Sequence, residues 1–471
     1  MKIIQTFWSG GGNPLEKSYG WPLPEYNMMS WTLSCLSLRR FYDDVELYTD
    51  REGYELLVVR LKLPYTRVYV VYDETLCRPM YWAYAKIKTY SLQSEQFLHV
   101  DGDIYITKPF AEEIHHAALV AQNKEIGTIY YRRMIDAVMQ IPGIFLPKDL
   151  EDSITKDSVS SYNMGVFGGA DIKFIQAYCK KAMNFVEENG LDDNSVVLHG
   201  EVDCNILFEQ VLFAVMADGE HREVASVIGR PIRDEGYLSN EFCDIGDFYS
   251  HGFYHILGGH KRNKVVLKDL CSLICSQYRE YYNRIVALSP KRAIVRKSIG
   301  YCKYVPGRNV DGIEKYFTFL HGARLSWNAE CVQDVLRPKW YEAVANTADC
   351  EKVVKKLKIH PHLCLYRVTE DWTKTERELL CGHLQCEGTF PVSQIAIIPF
   401  LNGSDCIETP LLDVDDRILS MVSQKAHTVV DVVGLLLDEY KTVGESERQS
   451  VGKYFRDEIR RLINHSVLVY V

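Results

Sequence analysis

Apolar runs and helical patterns alternate through the first 285 or so residues of this chain. KIIQTFW (2–8) reads as a buried strand that stops at Gly10, Gly11 and Gly12. NMMSWTLSCLSLRRFY (27–42) carries its apolar residues at helical spacing, and VELYTD (45–50) is a strand closing on Asp50. YWAYAKIKTYSLQ (81–93) is a helix that feeds the strand of FLHVDGDIYITKPF (97–110). Strands that alternate with helices predict an α/β domain, a mostly parallel sheet with helices on both faces. Such sheets bind ligands beyond the carboxyl ends of their strands. Residues 9–12, Asp50 and Asp101 all fall at such ends.

The pattern then changes twice. SPKRAIVRKSIGYCKYVPGR (289–308) is basic with no acid, and it opens a stretch, 286–350, that reads as a connector packed on the first domain. Its basic run reads as a solvated face rather than a phosphate patch. From 351 to 471 the chain offers a strand and turn (394–403), short helices at 417–424 and 428–441, and a longer one at 447–465. SVLVYV closes it as a strand. Thr428 is placed to cap the second of these helices. Strands, three helices and a final strand predict a separate α+β module resembling a winged helix.

Composition narrows the class. The chain has 471 residues, 47% of them hydrophobic, enough for two or three packed domains. A net charge of −9 argues against a broad nucleic-acid surface, and Asp413, Asp415, Asp416, Asp431, Asp438 and Glu439 argue against DNA binding by the tail. No apolar run reaches the roughly 20 residues a membrane span needs, and the start lacks a signal-peptide core. Fourteen cysteines without regular spacing point to reduced core residues and a cytoplasmic setting. Cys381, His383 and Cys386 lack a matching second pair, so they read as packing.

The chemistry concentrates at D-G-D. Asp101 and Asp103 form a turn after a strand, with Gly102 at positive φ, or they hold a cation; two close carboxylates repel unless something positive lies between them. SHGFYHILGGHKRN (250–263) adds His255, Gly258 and Lys261 as H-x-x-G-x-x-K. An imidazole with carboxylates suits a divalent ion such as Mn²⁺ (Mg²⁺ being the other choice), the glycine lets backbone approach a phosphate, and the lysine supplies a point charge. His251 and His260 are read as bystanders. SYNMGVFGGADIKFIQAYC (161–179) places Asn163 and Gly165 in a polar, small-residue loop entering a strand. In CNILFEQVLFAVMA (204–217), Glu209 and Gln210 interrupt an apolar helix, where a charge is costly to bury without a partner.

These residues carry a resemblance over about 280 positions. The first domain resembles a GT-A nucleotide-sugar glycosyltransferase of the retaining family that includes glycogenin and bacterial lipopolysaccharide galactosyltransferases. The match lies in Asp101 and Asp103 at a strand end, a basic residue on the helix before it (Lys86 or Lys88), Asn163 and Gly165, and His255, Gly258 and Lys261. It departs where the family continues into Pro-Trp, since Arg262 and Asn263 follow here. The resemblance implies a divalent ion on Asp101, Asp103 and His255, and a nucleotide-sugar donor, UDP by analogy. The donor would be held by Thr6, Ser9, Gly10, Asp50, Lys86, Gly258 and Lys261, and the acceptor positioned by Asn163, Glu209 and Gln210. The tail resembles PqqD-like peptide-recognition elements, which would make a ribosomally made peptide the acceptor; the other reading is a module that only packs or forms a homodimer.

Two further functions stay in view. A glycosyltransferase-like chain without turnover would hold a peptide or nucleotide as a binding protein. A sugar-phosphate nucleotidyltransferase would want a basic, glycine-rich loop after the first strand, but in residues 9–13 the glycines come without a basic residue before Lys17.

Overall fold

A computed structural model describes residues 1–73, 76–127, 129–154, 159–191, 204–233, 237–238, 240–246, 248–249, 251–288, 311–327, 355–369, 372–384, 394–401, 405–440 and 444–470. By its contacts the chain divides into two units, one of residues 1–245 and 249–261, the other of 246–248 and 262–471.

The first unit is built on a seven-stranded sheet. Its strands are β1 (Lys2–Phe7), β2 (Val45–Thr49), β3 (Arg67–Val70), β4 (Phe97–Val100), β6 (Val120–Ile126), β7 (Ser160–Gly169) and β8 (Ala225–Ser226), in the order β3-β2-β1-β4-β7-β6-β8. β3, β2, β1 and β4 run parallel, β7 is antiparallel to both β4 and β6, and β8 pairs parallel with β6. A ribbon of β5 (Ile104–Ile106) and β9 (Phe253–His255) stands apart from it.

Both faces of the sheet are buried, as the near-continuous apolar strands require. Ile3, Leu98, Val100 and Val166 join one cluster with Leu38 and Tyr42, at the end of helix α1 (Pro24–Arg39). Ile4, Phe97 and Phe167 point the other way, into a larger cluster covered by α2 (Ala83–Ser91), α3 (Ile129–Val138), α4 (Ile172–Glu188) and α5 (Leu212–Gly219). Pro24 opens α1, where its fixed φ and missing N–H cost nothing. The α/β architecture read from the sequence is therefore present, with an antiparallel step inserted at β7.

The second unit starts with α6 (Lys264–Gln277) and α7 (Arg279–Leu288), so these helices go with it although strand–helix alternation carried the first domain to 285. Residues 289–310 and 328–350 of the expected connector lie outside the described residues. The helix between them, α8 (Asp311–Ser326), contributes Ile313, Tyr316, Phe317 and Leu320 to the second unit's core. That core also takes Trp372, Leu380 of α9 (Lys374–Leu384), and Ile395 and Ile397 of the antiparallel sheet β11 (Cys364–Arg367), β12 (Gln394–Phe400), β13 (Asp405–Leu411). Helices α10 (Asp413–Gln424), α11 (Val429–Glu439) and α12 (Glu445–Asn464) follow, and β14 (Leu468–Tyr470) pairs antiparallel with β10 (Leu357–Ile359). Thr428 caps α11 as its sequence suggested: its hydroxyl accepts from Asp431 N–H, and Asp431 accepts from Thr428 N–H.

No disulfide joins cysteines among the described residues, and His383 is hydrogen-bonded to Glu408 at 2.7 Å; Cys386 lies outside the described residues. Among the described residues no helix is long and apolar enough to cross a membrane.

Candidate metal centre

β4 ends at Val100, and Asp101 N–H donates to Gly165 O on β7 at 2.8 Å, the last tie of the strand to the sheet. The D-G-D turn then closes as Ile104 N–H donates to Asp101 O at 3.2 Å. Gly102 does not take positive φ there, contrary to the turn reading. It is needed for a different reason: a Cβ would collide with the Trp31 indole of α1.

Past the turn, β5 pairs antiparallel with β9, Ile104 opposite His255 and Ile106 opposite Phe253. This ribbon carries a residue some 150 positions away onto the acid pair. His255 Nε2 lies 3.2 Å from Asp103 Oδ1, and one ligand atom from each of Asp101, Asp103 and His255 falls within 4.8 Å of the others.

The imidazole is oriented from behind. His255 Nδ1 stands 2.6 Å from Gln122 Oε1, while Gln122 Nε2 donates to Asn123 Oδ1 at 3.0 Å, which fixes the amide's direction. With Nδ1–H donating to that carbonyl, Nε2 turns its lone pair to Asp103. Asp103 Oδ1 is buried and without a hydrogen bond. Two lone pairs thus face each other across 3.2 Å, an arrangement that a cation resolves. Gly165 makes room for the imidazole and its amide partner, since a Cβ there would come 2.5 Å from Gln122 Oε1 and 2.6 Å from His255 Cε1. Two carboxylates and one oriented imidazole fit a divalent transition ion with mixed oxygen and nitrogen ligands.

Two lysines balance the acids. Lys261 Nζ is 2.6 Å from Asp103 Oδ2, and Lys86 Nζ is 3.0 Å from Asp101 Oδ1 and 2.6 Å from Glu209 Oε1. Burial works to raise Asp103, but Lys261 outweighs it and holds the carboxyl well below its usual range, and His255 adds to that pull only when its imidazole is protonated. Asp101 moves the other way, raised by burial against the pull of Lys86. Burial pushes Glu209 up to about 7, with Lys86 opposing. Burial works to lower Lys86, yet Asp101 and Glu209 together keep its ammonium above the ordinary value. His99, 3.7 Å from Asp101, is held well below its ordinary value by burial and then by Lys86, so it adds no charge.

A cavity of about 490 Å³ opens on this cluster, within the range of small-molecule sites. Lys86, Asp101, Gly102, Asp103 and Lys261 line it, together with the rings of Phe7, Trp8, Tyr19, Trp21, Trp31 and Trp82. Lys261 Nζ lies 5.7 Å from the Trp21 ring and Lys86 Nζ 5.5 Å from that of Trp82, both within cation–π range.

The other sequence candidates divide. Thr6 lines the cavity, its hydroxyl donating to Thr89 at 2.7 Å. Gly258, at φ +44°, opens the turn that carries Lys261. Ser9, Gly10 and Asp50 are not among the lining residues. Asp50 instead caps a short helix and accepts from Ser9 N–H, Ser9 Oγ and Gly53 N–H at 2.8, 2.5 and 2.9 Å. Glu209, Gln210 and Asn163 also lie outside the lining. Glu209 is fully buried behind Lys86, Gln210 accepts from Tyr131, and Asn163 Oδ1 accepts from Gly165 N–H at 3.0 Å. They brace the site. Lys88 faces Glu187 at 3.9 Å, and His260 Nε2 is hydrogen-bonded to Tyr237 O at 2.9 Å.

Sequence reasoning missed Gln122 and most of the aromatic wall. Gln122 sits inside VAQNKEI, where alternation flags no function, and the tryptophans are spread from Trp8 to Trp82. Trp8, directly after β1, was the signal available; Trp31 lies within α1 and Trp82 at the start of α2, where nothing local marks them.

The fold and site define an α/β protein in which three side chains, Asp101, Asp103 and His255, are grouped as a metal ion would need them, beside an aromatic cavity. The chain belongs to the family described as "Family of unknown function (DUF6734)", which matches residues 1–288. No curated protein matches it.

Proposed function

We propose that the first unit is a metal-dependent glycosyltransferase of GT-A type that uses a nucleotide-sugar donor, UDP-linked by the resemblance noted above. The observation that carries this reading is the buried, hydrogen-bond-free Oδ1 of Asp103, a residue that lines the aromatic cavity, facing His255 Nε2. In transfer, the bond from the anomeric carbon to the phosphate oxygen breaks and its electron pair stays on the diphosphate. The acceptor oxygen bonds the carbon and gives up its proton to an oxygen of the leaving diphosphate. A Mn²⁺ or Mg²⁺ ion on Asp101, Asp103 and His255 would supply Lewis-acid charge to the leaving diphosphate. Lys261, already at the cavity wall, would add a fixed positive charge where negative charge grows. Lys86, also at the cavity wall, keeps Asp101 and Glu209 in place, and the aromatic rings exclude water and offer stacking area.

Thermal shift with UDP and MnCl₂, alone and together, tests this, with UDP release from a panel of nucleotide sugars as the readout of turnover. Stabilisation by UDP that needs Mn²⁺, lost in Asp103→Ala and His255→Ala, is expected. Nucleotide binding indifferent to metal, with no UDP released from any donor, would leave a binding protein instead.

The same proposal extends to the tail as a winged-helix-like module that recruits a ribosomally made peptide. Its three helices and closing strand support that. Mass spectrometry of candidate peptides after incubation with the donor panel tests it, and peptides left unmodified while UDP is released would remove the peptide from the proposal.

A further inference from the structure

Asn27 lies on α1 one turn before Ser30 and Trp31, and all three line the cavity with Asp103. Only 3% of Asn27 is exposed, and its Nδ2 is buried with no hydrogen-bond partner. Buried amide donors are nearly always paired because leaving one unpaired is costly. The other hydroxyl side chains of the wall are already engaged. Ser30 Oγ donates to Gly102 O at 2.8 Å and meets Tyr105 OH at 2.8 Å. Thr6 serves Thr89 and His99, and Tyr19 OH donates to Ser9 O at 3.2 Å. The aromatic rings give contact area but little direction, so a donor with spare capacity is the element that would orient a ligand.

We infer that Asn27 is a ligand-binding residue whose Nδ2 donates to an oxygen of the bound molecule, a phosphoryl or hydroxyl oxygen of a nucleotide sugar. This rests on the nucleotide-sugar reading of the cavity. The oxygen can belong to the diphosphate, the nucleoside or the sugar, and a choice of probes separates them.

The test is calorimetric titration of the full-length protein in MnCl₂ with inorganic diphosphate, UDP and UDP-glucose, for wild type, Asn27→Leu and Asn27→Asp. Asn27→Leu keeps the size and removes the donor. It should weaken at least one probe about tenfold or more, the loss of one hydrogen bond, leave Mn²⁺ affinity unchanged, and keep or raise the melting temperature of the ligand-free protein. Asn27→Asp, which turns a carboxylate on the ligand oxygen, should weaken the same probe further. Loss already with diphosphate assigns a phosphoryl oxygen, loss first with UDP the nucleoside, and loss only with UDP-glucose the sugar. Unchanged affinity for all three probes, or a lower melting temperature of ligand-free Asn27→Leu, overturns the inference while the nucleotide reading stands. A wild-type protein that binds none of the probes with Mn²⁺ overturns both.

Discussion

Replacing Lys261 with alanine is expected to move two affinities in opposite directions. The Lys261 ammonium sits 2.6 Å from Asp103 Oδ2, so it holds one of the acids that a metal ion would take. A hydrogen bond between charged groups contributes about 1.5–3 kcal/mol net, and a tenfold change in affinity corresponds to about 1.4 kcal/mol. Any cation seated on Asp103 must give up that contact. Lys261→Ala should therefore bind Mn²⁺ alone roughly 10- to 100-fold more tightly than wild type. The same lysine is the charge at the cavity wall that a diphosphate would meet. With Mn²⁺ saturating, the variant should bind UDP more weakly by a similar factor. Wild type should show strong mutual enhancement of Mn²⁺ and UDP binding, and the variant much less. Isothermal titration of Mn²⁺ into each protein, then of UDP at saturating Mn²⁺, reads both. A variant that binds Mn²⁺ no better than wild type would refute the reasoning, since the ammonium would not then be standing in the cation's place.

Three other outcomes follow from the geometry. Gly165→Ala drives a methyl toward Gln122 and His255; it should cost about 1–3 kcal/mol of stability by overpacking and weaken Mn²⁺ binding, measured by urea denaturation and calorimetry. Glu209 has its folded-state value raised to about 7 from 4.5, so the folded chain keeps this proton longer than the unfolded one. Its contribution to stability is therefore present at acid pH and lost as pH rises from about 4.5 to about 7. The melting temperature of Glu209→Gln relative to wild type should climb across that interval and then level off, and a flat difference would contradict the assignment. Thr428→Ala removes the α11 cap and should cost about 1 kcal/mol in denaturation while leaving Mn²⁺ binding untouched.

The acid pair was legible because a charge at the end of a mostly apolar strand is conspicuous, and His255 because glycine and lysine follow it at even spacing. Their meeting was not, because IYI and FYH are too short to announce a pairing across some 150 residues. Asp50 looked like a ligand for the reason that made it a cap: a carboxylate just past a strand accepts equally well from a nucleotide or from backbone N–H groups. Glu209 was recognised as a buried charge in need of a partner, but only the fold shows that Lys86 fills that need and turns it away from the cavity. Gly102 was read as a turn residue, whereas its lack of a side chain serves the indole of Trp31. Packing across elements carries no local pattern, and the aromatic wall, gathered from four stretches of chain, was hidden for that reason.

The most direct test of the metal centre is anomalous diffraction from crystals grown with MnCl₂ and UDP. The account predicts one manganese peak bounded by the Asp101 and Asp103 carboxylates and His255 Nε2, with Lys261 withdrawn from Asp103 toward the diphosphate. Nucleotide in the cavity with no manganese among those three side chains would contradict it.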